Sequence, residues 1–209
     1  MKILYVLLTL CFALTAQAKV LVEQFTIDSD WPVDYMLESG ELTCPGGTLG
    51  INMGMPYCEG GNEGMHMRGT EIYSCLGNSF PFDPRVEGTV WIQINDNFDA
   101  DYTGPGWGTW KVVPGESCDK DSLINPNVYW EGTWTGFREI VSDDPITTWV
   151  HDIKLVGHGV GGNLEGLKIY GTEVITLFTP MAVPYELLPF PVSGPESIVQ
   201  VAIRSKVEN

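Results

Sequence analysis

The chain has 209 residues and a formal net charge of −16, with 27 Asp and Glu against 11 Lys and Arg. A surface this acidic repels phosphate backbones and anionic lipid headgroups, so no nucleic-acid and no membrane partner is expected. Hydrophobic residues make up 44% of the chain, enough for one domain with a packed core.

In chain order, residues 1–18 read as a signal peptide. Lys2 gives a positive start, residues 3–15 are an apolar run, and Ala16-Gln17-Ala18 supplies the small-x-small pattern of a cleavage site. The run is shorter than the roughly 20 residues that span a bilayer, and Leu10 before Cys11 does not suit a lipoprotein. The expectation is an exported protein, secreted or periplasmic, with one domain over 19–209.

That domain keeps Cys44, Cys58, Cys75 and Cys118, an even set that reads as two disulfides in an oxidising compartment. Three pairings are open. Cys44–Cys58 with Cys75–Cys118 is preferred because the first two lie close in sequence. The spacings contain no Cys-x-x-Cys, which argues against structural zinc and thioredoxin-like chemistry.

Period-two alternation dominates and 3.6-residue periodicity is scarce. Strands are predicted at 20–27, 70–76, 88–94, 108–113, 129–140, 148–157, 164–170, 173–178 and 198–204, separated by Gly, Pro, Asn and Asp clusters. Gly-Thr recurs at Gly47, Gly69, Gly88, Gly108, Gly132 and Gly171. The pairs read as turn punctuation of one continuous sheet. An all-β fold follows, a single antiparallel β-barrel of about eight or more strands, with a β-sandwich as the alternative. In the stretch 129–137, Trp130, Gly132, Trp134 and Gly136 fall on one strand face, and Glu131, Thr133, Thr135 and Phe137 on the other. Alternating large and small side chains suit the interior of a small barrel. Residues 52–64 and 180–195 read as irregular.

The segment Gly162-x-Leu164-x-Gly166, after a Gly-rich turn, resembles the Gly-x-Phe-x-Gly signature of dirigent and allene oxide cyclase barrels. Asp83-Pro84-Arg85-Val86-Glu87-Gly88, Gly104-Pro105-Gly106-Trp107-Gly108-Thr109 and Trp130-Glu131-Gly132 also look like landmarks of uncharacterised secreted β proteins. The resemblance covers about 85–173. It implies a small eight-stranded antiparallel barrel with a ligand cavity. Leu164 stands where the family has an aromatic residue, and no catalytic residue of the family can be matched, so the fold alone carries over.

Each chemical candidate has a structural counterpart. Met53, Met55, Met65 and Met67 with His66 offer soft ligands for Cu(I), but alternation puts the methionines on core faces and turns His66 away. Asp96, Asp99 and Asp101 gather hard oxygens that suit Ca²⁺, yet an EF-hand count from Asp99 places Trp110 where a bidentate Glu belongs. A loop joining two strands explains them equally. His151 and His158 are seven apart and fall on opposite faces, as surface or pocket-edge residues. Glu131 or Glu165 could serve a glycosidase, though Trp130 and Glu131 face opposite ways. The tryptophans then fill the barrel.

These readings converge on non-catalytic binding of a small apolar or aromatic ligand inside the barrel, with Trp107, Trp130, Trp134 and His158 as candidate contacts and no cofactor. The alternatives are an enzyme acting on a small molecule or glycan in the same cavity, and a structural or interaction protein with a filled interior. Whether the interior holds a cavity on the order of several hundred Å³, and which polar groups line it, separates them, and a filled interior would defeat both ligand-based readings.

Overall fold

The computed structural model describes residues 19–36, 41–52, 55–59, 64–115, 119–142, 148–178 and 197–207. The signal-peptide expectation and the proline-rich segment 180–195 lie outside them. The strands are β1 (Lys19–Met36), β2 (Glu41–Thr43), β3 (Thr48–Asn52), β4 (Met55–Glu59), β5 (Met65–Phe80), β6 (Gly88–Phe98), β7 (Gly104–Pro114), β8 (Tyr129–Ser142), β9 (Thr148–Val160), β10 (Lys168–Phe178) and β11 (Ser197–Val207). Two short 3-10 turns, Lys120–Leu123 and Gly162–Leu164, complete the described elements.

Eight strands form one antiparallel ring in the order β1-β11-β10-β9-β8-β7-β6-β5, which closes because β1 also pairs with β5. Closure leaves the main sheet without a long open edge. β2 extends the same edge of β5 past the end of β1, with Leu42 opposite Met67. β3 and β4 make a separate hairpin. The all-β, barrel-like expectation is thus met.

Three local expectations change. The expected strand at 164–170 begins only at Lys168. Leu164 ends a 3-10 turn, and one strand, β10, runs through Gly171 and Thr172 without a break. Residues 55–59, expected to be irregular, are β4. The Gly-Thr pairs are turn punctuation only at Gly47, which closes the turn before β3, and at Gly88, which opens β6. Gly69 occupies a register break within β5 at φ 65°, while Gly108, Gly132 and Gly171 lie inside strands.

The reason is close approach by tryptophan. A Cβ on Gly132 would meet the Trp110 ring at 2.8 Å and Val156 O at 2.0 Å; one on Gly108 would meet Gln93 O at 1.8 Å and Trp134 Nε1 at 2.6 Å. Each indole lies where a neighbouring strand supplies no side chain, as the large-small alternation predicted. Trp110 and Trp134 are 6% and 4% exposed. Indole N–H groups are tied as well. Trp110 Nε1 donates to Thr133 O (3.1 Å), Trp130 Nε1 to Arg85 O (2.7 Å), Trp134 Nε1 to Gln93 O (3.0 Å) and Trp149 Nε1 to Asp101 O (2.8 Å). A buried indole so bonded leaves no unmatched donor in the core.

The two ends of the interior differ. At one end Val86, Trp130 and Leu164 belong to the large apolar core with Val90, Ile153 and Ile203. The 83–87 turn covers that end. Arg85 is paired with Asp83 and reaches Glu23 Oε2 on β1 at 3.0 Å, and Glu87 Oε1 accepts from Ser79 N (2.7 Å) and Ser79 Oγ (2.6 Å). At the other end Met65, Met67 and Phe98 form a smaller cluster, with Tyr102 of the β6–β7 loop packed against it.

Candidate functional site

The smaller cluster borders the buried charged groups of the interior. On β6 the inward positions are Val90, Ile92, Ile94, Asp96 and Phe98, so Asp96 points inward by the same alternation that buries its neighbours. On β8 the series Trp130, Trp134 ends at Arg138. On β9, Trp149, His151 and Ile153 alternate inward. Register brings these strands together. Asp96 is opposite Gly106, Gly106 opposite Gly136, and Arg138 opposite His151.

Asp96 is 2% exposed and His151 4% exposed. Among the described residues, Asp96 Oδ1 and His151 Nε2 are fully buried without a hydrogen-bond partner. Both atoms lie over glycine. A Cβ on Gly106 would come 2.2 Å from Asp96 Oδ1, and a Cβ on Gly136 would come 2.7 Å from His151 Nε2. The space over the paired glycines is taken by Asp96, Trp134 and His151, so a side chain at either position would collide with them.

The surroundings are aromatic and cationic. The Arg138 guanidinium lies 4.0 Å from the Phe98 ring centroid. His151 stands edge-on to Trp134 at 5.9 Å and to Phe98 at 6.4 Å between centroids. Burial pushes the Asp96 carboxyl up to about 7, although Arg138 and Arg68 pull it the other way. Burial, aided by the Arg138 charge, pushes His151 down to about 3. The site therefore favours a neutral imidazole on His151 and resists ionisation of the Asp96 carboxyl.

The residues singled out from the sequence are not brought together. Trp130 and Trp134 point inward, 1% and 4% exposed, with their N–H groups bonded to backbone. Trp107 is on the outer face, 38% exposed, with the Arg68 guanidinium 5.3 Å from its ring centroid. His158 is also outside, its Nε2 3.6 Å from Glu131 Oε1. Of the four, only Trp134 borders the polar cluster. The opposite-face reading of the two histidines holds, but His151 is a core residue and not a surface or pocket-edge one.

Met65 and Met67 are buried beside Phe98, and His66 alternates away from them. Met55 is in β4, and Met53 lies outside the described residues. Asp96 is separated from Asp99 and Asp101, which are exposed in the hairpin loop, where Asp101 Oδ1 accepts from Thr103 Oγ1 at 2.8 Å. Among the described residues no three His, Cys, Asp or Glu side chains are grouped to hold a metal ion. Glu165 is engaged in its own turn, accepting from Gly161 N at 2.8 Å.

The sequence matches no family model, and no curated protein or solved structure was found similar to it. The functional reading therefore rests on the geometry of this chain.

Asp96, Arg138 and His151 were legible one strand at a time, since each continues an alternating inward series. That they share one end follows only from the strand register.

Proposed function

We propose that the protein is an exported ring of strands that binds a small, mainly apolar or aromatic ligand at the Asp96–His151 end of its interior, without turning it over. One observation carries this reading: among the described residues two buried polar atoms, Asp96 Oδ1 and His151 Nε2, have no hydrogen-bond partner, in surroundings of aromatic rings and the Arg138 guanidinium. Leaving such an atom unmatched costs about 1–3 kcal/mol. Small-molecule sites have this make-up, a mostly apolar lining with a few convergent polar groups. Trp134, Phe98, Met65 and Met67 supply the lining. The test is a fragment screen followed by NMR of the His151 ring and the Trp134 indole. A saturable shift of both signals supports the reading, and a screen in which neither signal moves defeats it in favour of a filled structural ring.

A second reading, an enzyme on the same ligand, is favoured by the opposite displacement of Asp96 and His151. Such a pair is how sites prepare proton transfer near neutrality. Product formation lost in Asp96→Asn with binding retained would establish it.

Export and two disulfides belong to the same proposal. Cys44 and Cys75 are not free thiols. They do not suit each other, because Thr43 is opposite His66 and Cys75 lies roughly 30 Å further along β5. Cys75 is opposite Thr89, whose Oγ1 accepts from Asp119 N at 2.9 Å, and Asp119 follows Cys118 in sequence. Cys58 is opposite Leu49, close in sequence to Cys44. These neighbourhoods support Cys75–Cys118 and Cys44–Cys58. Kinship with dirigent and allene oxide cyclase barrels is likewise a proposal, supported by the eight-strand ring and by Gly162-x-Leu164-x-Gly166 forming the β9–β10 turn around the buried Leu164.

A further inference from the structure

We propose that the outer face of β1, β11 and β10 carries a second site, a cleft between Phe80 and Tyr170 that binds a neutral oligosaccharide. The cleft is on the outside of the ring, whereas Asp96 and His151 point inward, so this site is independent of the reading above.

Alternation decides what lines the cleft. Phe25, Val199, Val201 and Ile203 are buried, which turns Gln24 and Thr26 of β1 and Gln200 and Ala202 of β11 outward. The ladder sets Ala202 between Gln24 and Tyr170, and the next row across is Thr26, Gln200 and Thr172. Ala202 has only a methyl group between two longer side chains and makes the low point. Phe80 of β5 is opposite Thr26 and forms the far wall. The Arg204 guanidinium, 4.7 Å from the Tyr170 ring centroid, braces the near one. The cleft is open to solvent and holds about 460 Å³, within the size range of small-molecule sites.

The chemistry of the lining narrows the occupant. Although 18% of the chain is charged, none of the residues lining the cleft is. A cation finds no carboxylate in the lining. An anion finds no lysine or arginine there and approaches a chain of net charge −16. A wholly apolar ligand would cover two carboxamides and two hydroxyls without pairing them, which is costly. Carboxamides and hydroxyls both donate and accept, as the hydroxyls of a sugar do. Phe80 is 80% exposed and Tyr170 40%. Their rings offer flat apolar faces to the C–H side of a pyranose.

Position disfavours a peptide strand and sets the length. The backbone groups of β1, β11 and β10 are used in ladders on both sides, so an extended peptide gains no main-chain pairing on this face. From β5 through β1 and β11 to β10 is three strand spacings, roughly 14 Å along the sheet. That is longer than a single sugar ring. A chain of several sugar units reaches both Phe80 and Tyr170 and lays its hydroxyls along the glutamines and threonines between them.

The test is an NMR titration of the full chain with cellotetraose, xylotetraose, mannotetraose and the N-acetylglucosamine tetramer, and with two charged probes, tetragalacturonate and the glucosamine tetramer. At least one neutral probe should shift the Tyr170 ring and the Gln24 and Gln200 carboxamide signals saturably. Both charged probes should bind at least about tenfold more weakly than it does. Ala202→Phe should abolish binding by filling the low point, and Tyr170→Ala should weaken it by about tenfold or more. Phe137→Ala removes an exposed ring of β8 outside the cleft and should leave the affinity unchanged. Retained dispersion of the Trp110 and Trp130 indole signals verifies the fold of each variant. Silence from all four neutral probes, equal binding of a charged one, or binding that survives Ala202→Phe overturns the proposal. The Trp134 and His151 signals should stay still throughout. A sugar that moves those signals instead sits inside the ring and overturns the cleft, while leaving the reading of the Asp96–His151 end intact.

Discussion

The two ends of the ring solve the same packing problem with different chemistry. At the Val86–Trp130–Leu164 end the large buried side chains of the core are apolar, charged groups stay in the covering turn, and the Trp130 N–H is spent on Arg85 O. At the Met65–Phe98 end the same alternation places Asp96, Arg138 and His151 among rings, with Asp96 Oδ1 and His151 Nε2 unmatched. Strand geometry treats both ends alike. The second therefore gives up stability that the first retains, which is the usual mark of a place kept for something else.

The contrast can be broken most forcefully at the apolar end. Trp130→Ala should cost about 3–5 kcal/mol, read as a shift of the urea midpoint, because it removes a 1%-exposed indole and leaves a cavity. A smaller cost would mean that this end is not the stable one.

The polar end should reveal itself through pH. Asp96 is raised in the fold from its ordinary 3.8 to about 7, so its stabilising contribution is full below pH 4 and is lost as pH rises toward 7. His151 is lowered from 6.5 to about 3, so its contribution is full above pH 6.5 and is lost as pH falls toward 3. Between pH 4 and 6.5 the two slopes oppose each other, each at most about 1.4 kcal/mol per pH unit. Removing one group unmasks the other. Asp96→Asn should gain stability as pH rises from 3 to 6.5, and His151→Phe should lose stability as pH rises from 4 to 7. Urea titrations at half-unit intervals check both, and parallel profiles for the two variants would refute the assignment.

A finer probe is Trp149→Phe, which keeps a ring but leaves Asp101 O without its indole donor. The expected cost is about 1–3 kcal/mol, with faster amide exchange in the 99–103 loop. Smallest of all is Glu131→Gln. Its partner His158 is 3.6 Å away and both side chains are over 40% exposed, so the midpoint should move by less than about 0.5 kcal/mol. A larger shift would place unexpected weight on the outer face.

How far these features could be read in advance depended on range. The face shared by Trp130, Gly132, Trp134 and Gly136 was legible because strand alternation is a local rule. Asp96 was grouped with Asp99 and Asp101 on composition, yet it continues the series Val90, Ile92, Ile94 and belongs to the core. His151 was equally legible as the inward neighbour of Trp149 and Ile153. The Gly-Thr pairs misled because glycine was read as a turn residue, whereas Gly108 and Gly132 make room for rings arriving from other strands.

The sequence by itself determined the all-β class, most strand positions and the side of each strand that is buried, since these follow from period-two alternation and turn chemistry. The tertiary structure alone decided which strand lies beside which. It set Gly106 against Gly136 and Arg138 against His151, and so brought an aspartate, an arginine and a histidine from three separate strands to one end of the ring. Register is a long-range property, fixed by the fit of tryptophans to glycines across neighbouring strands, and no local pattern contains it.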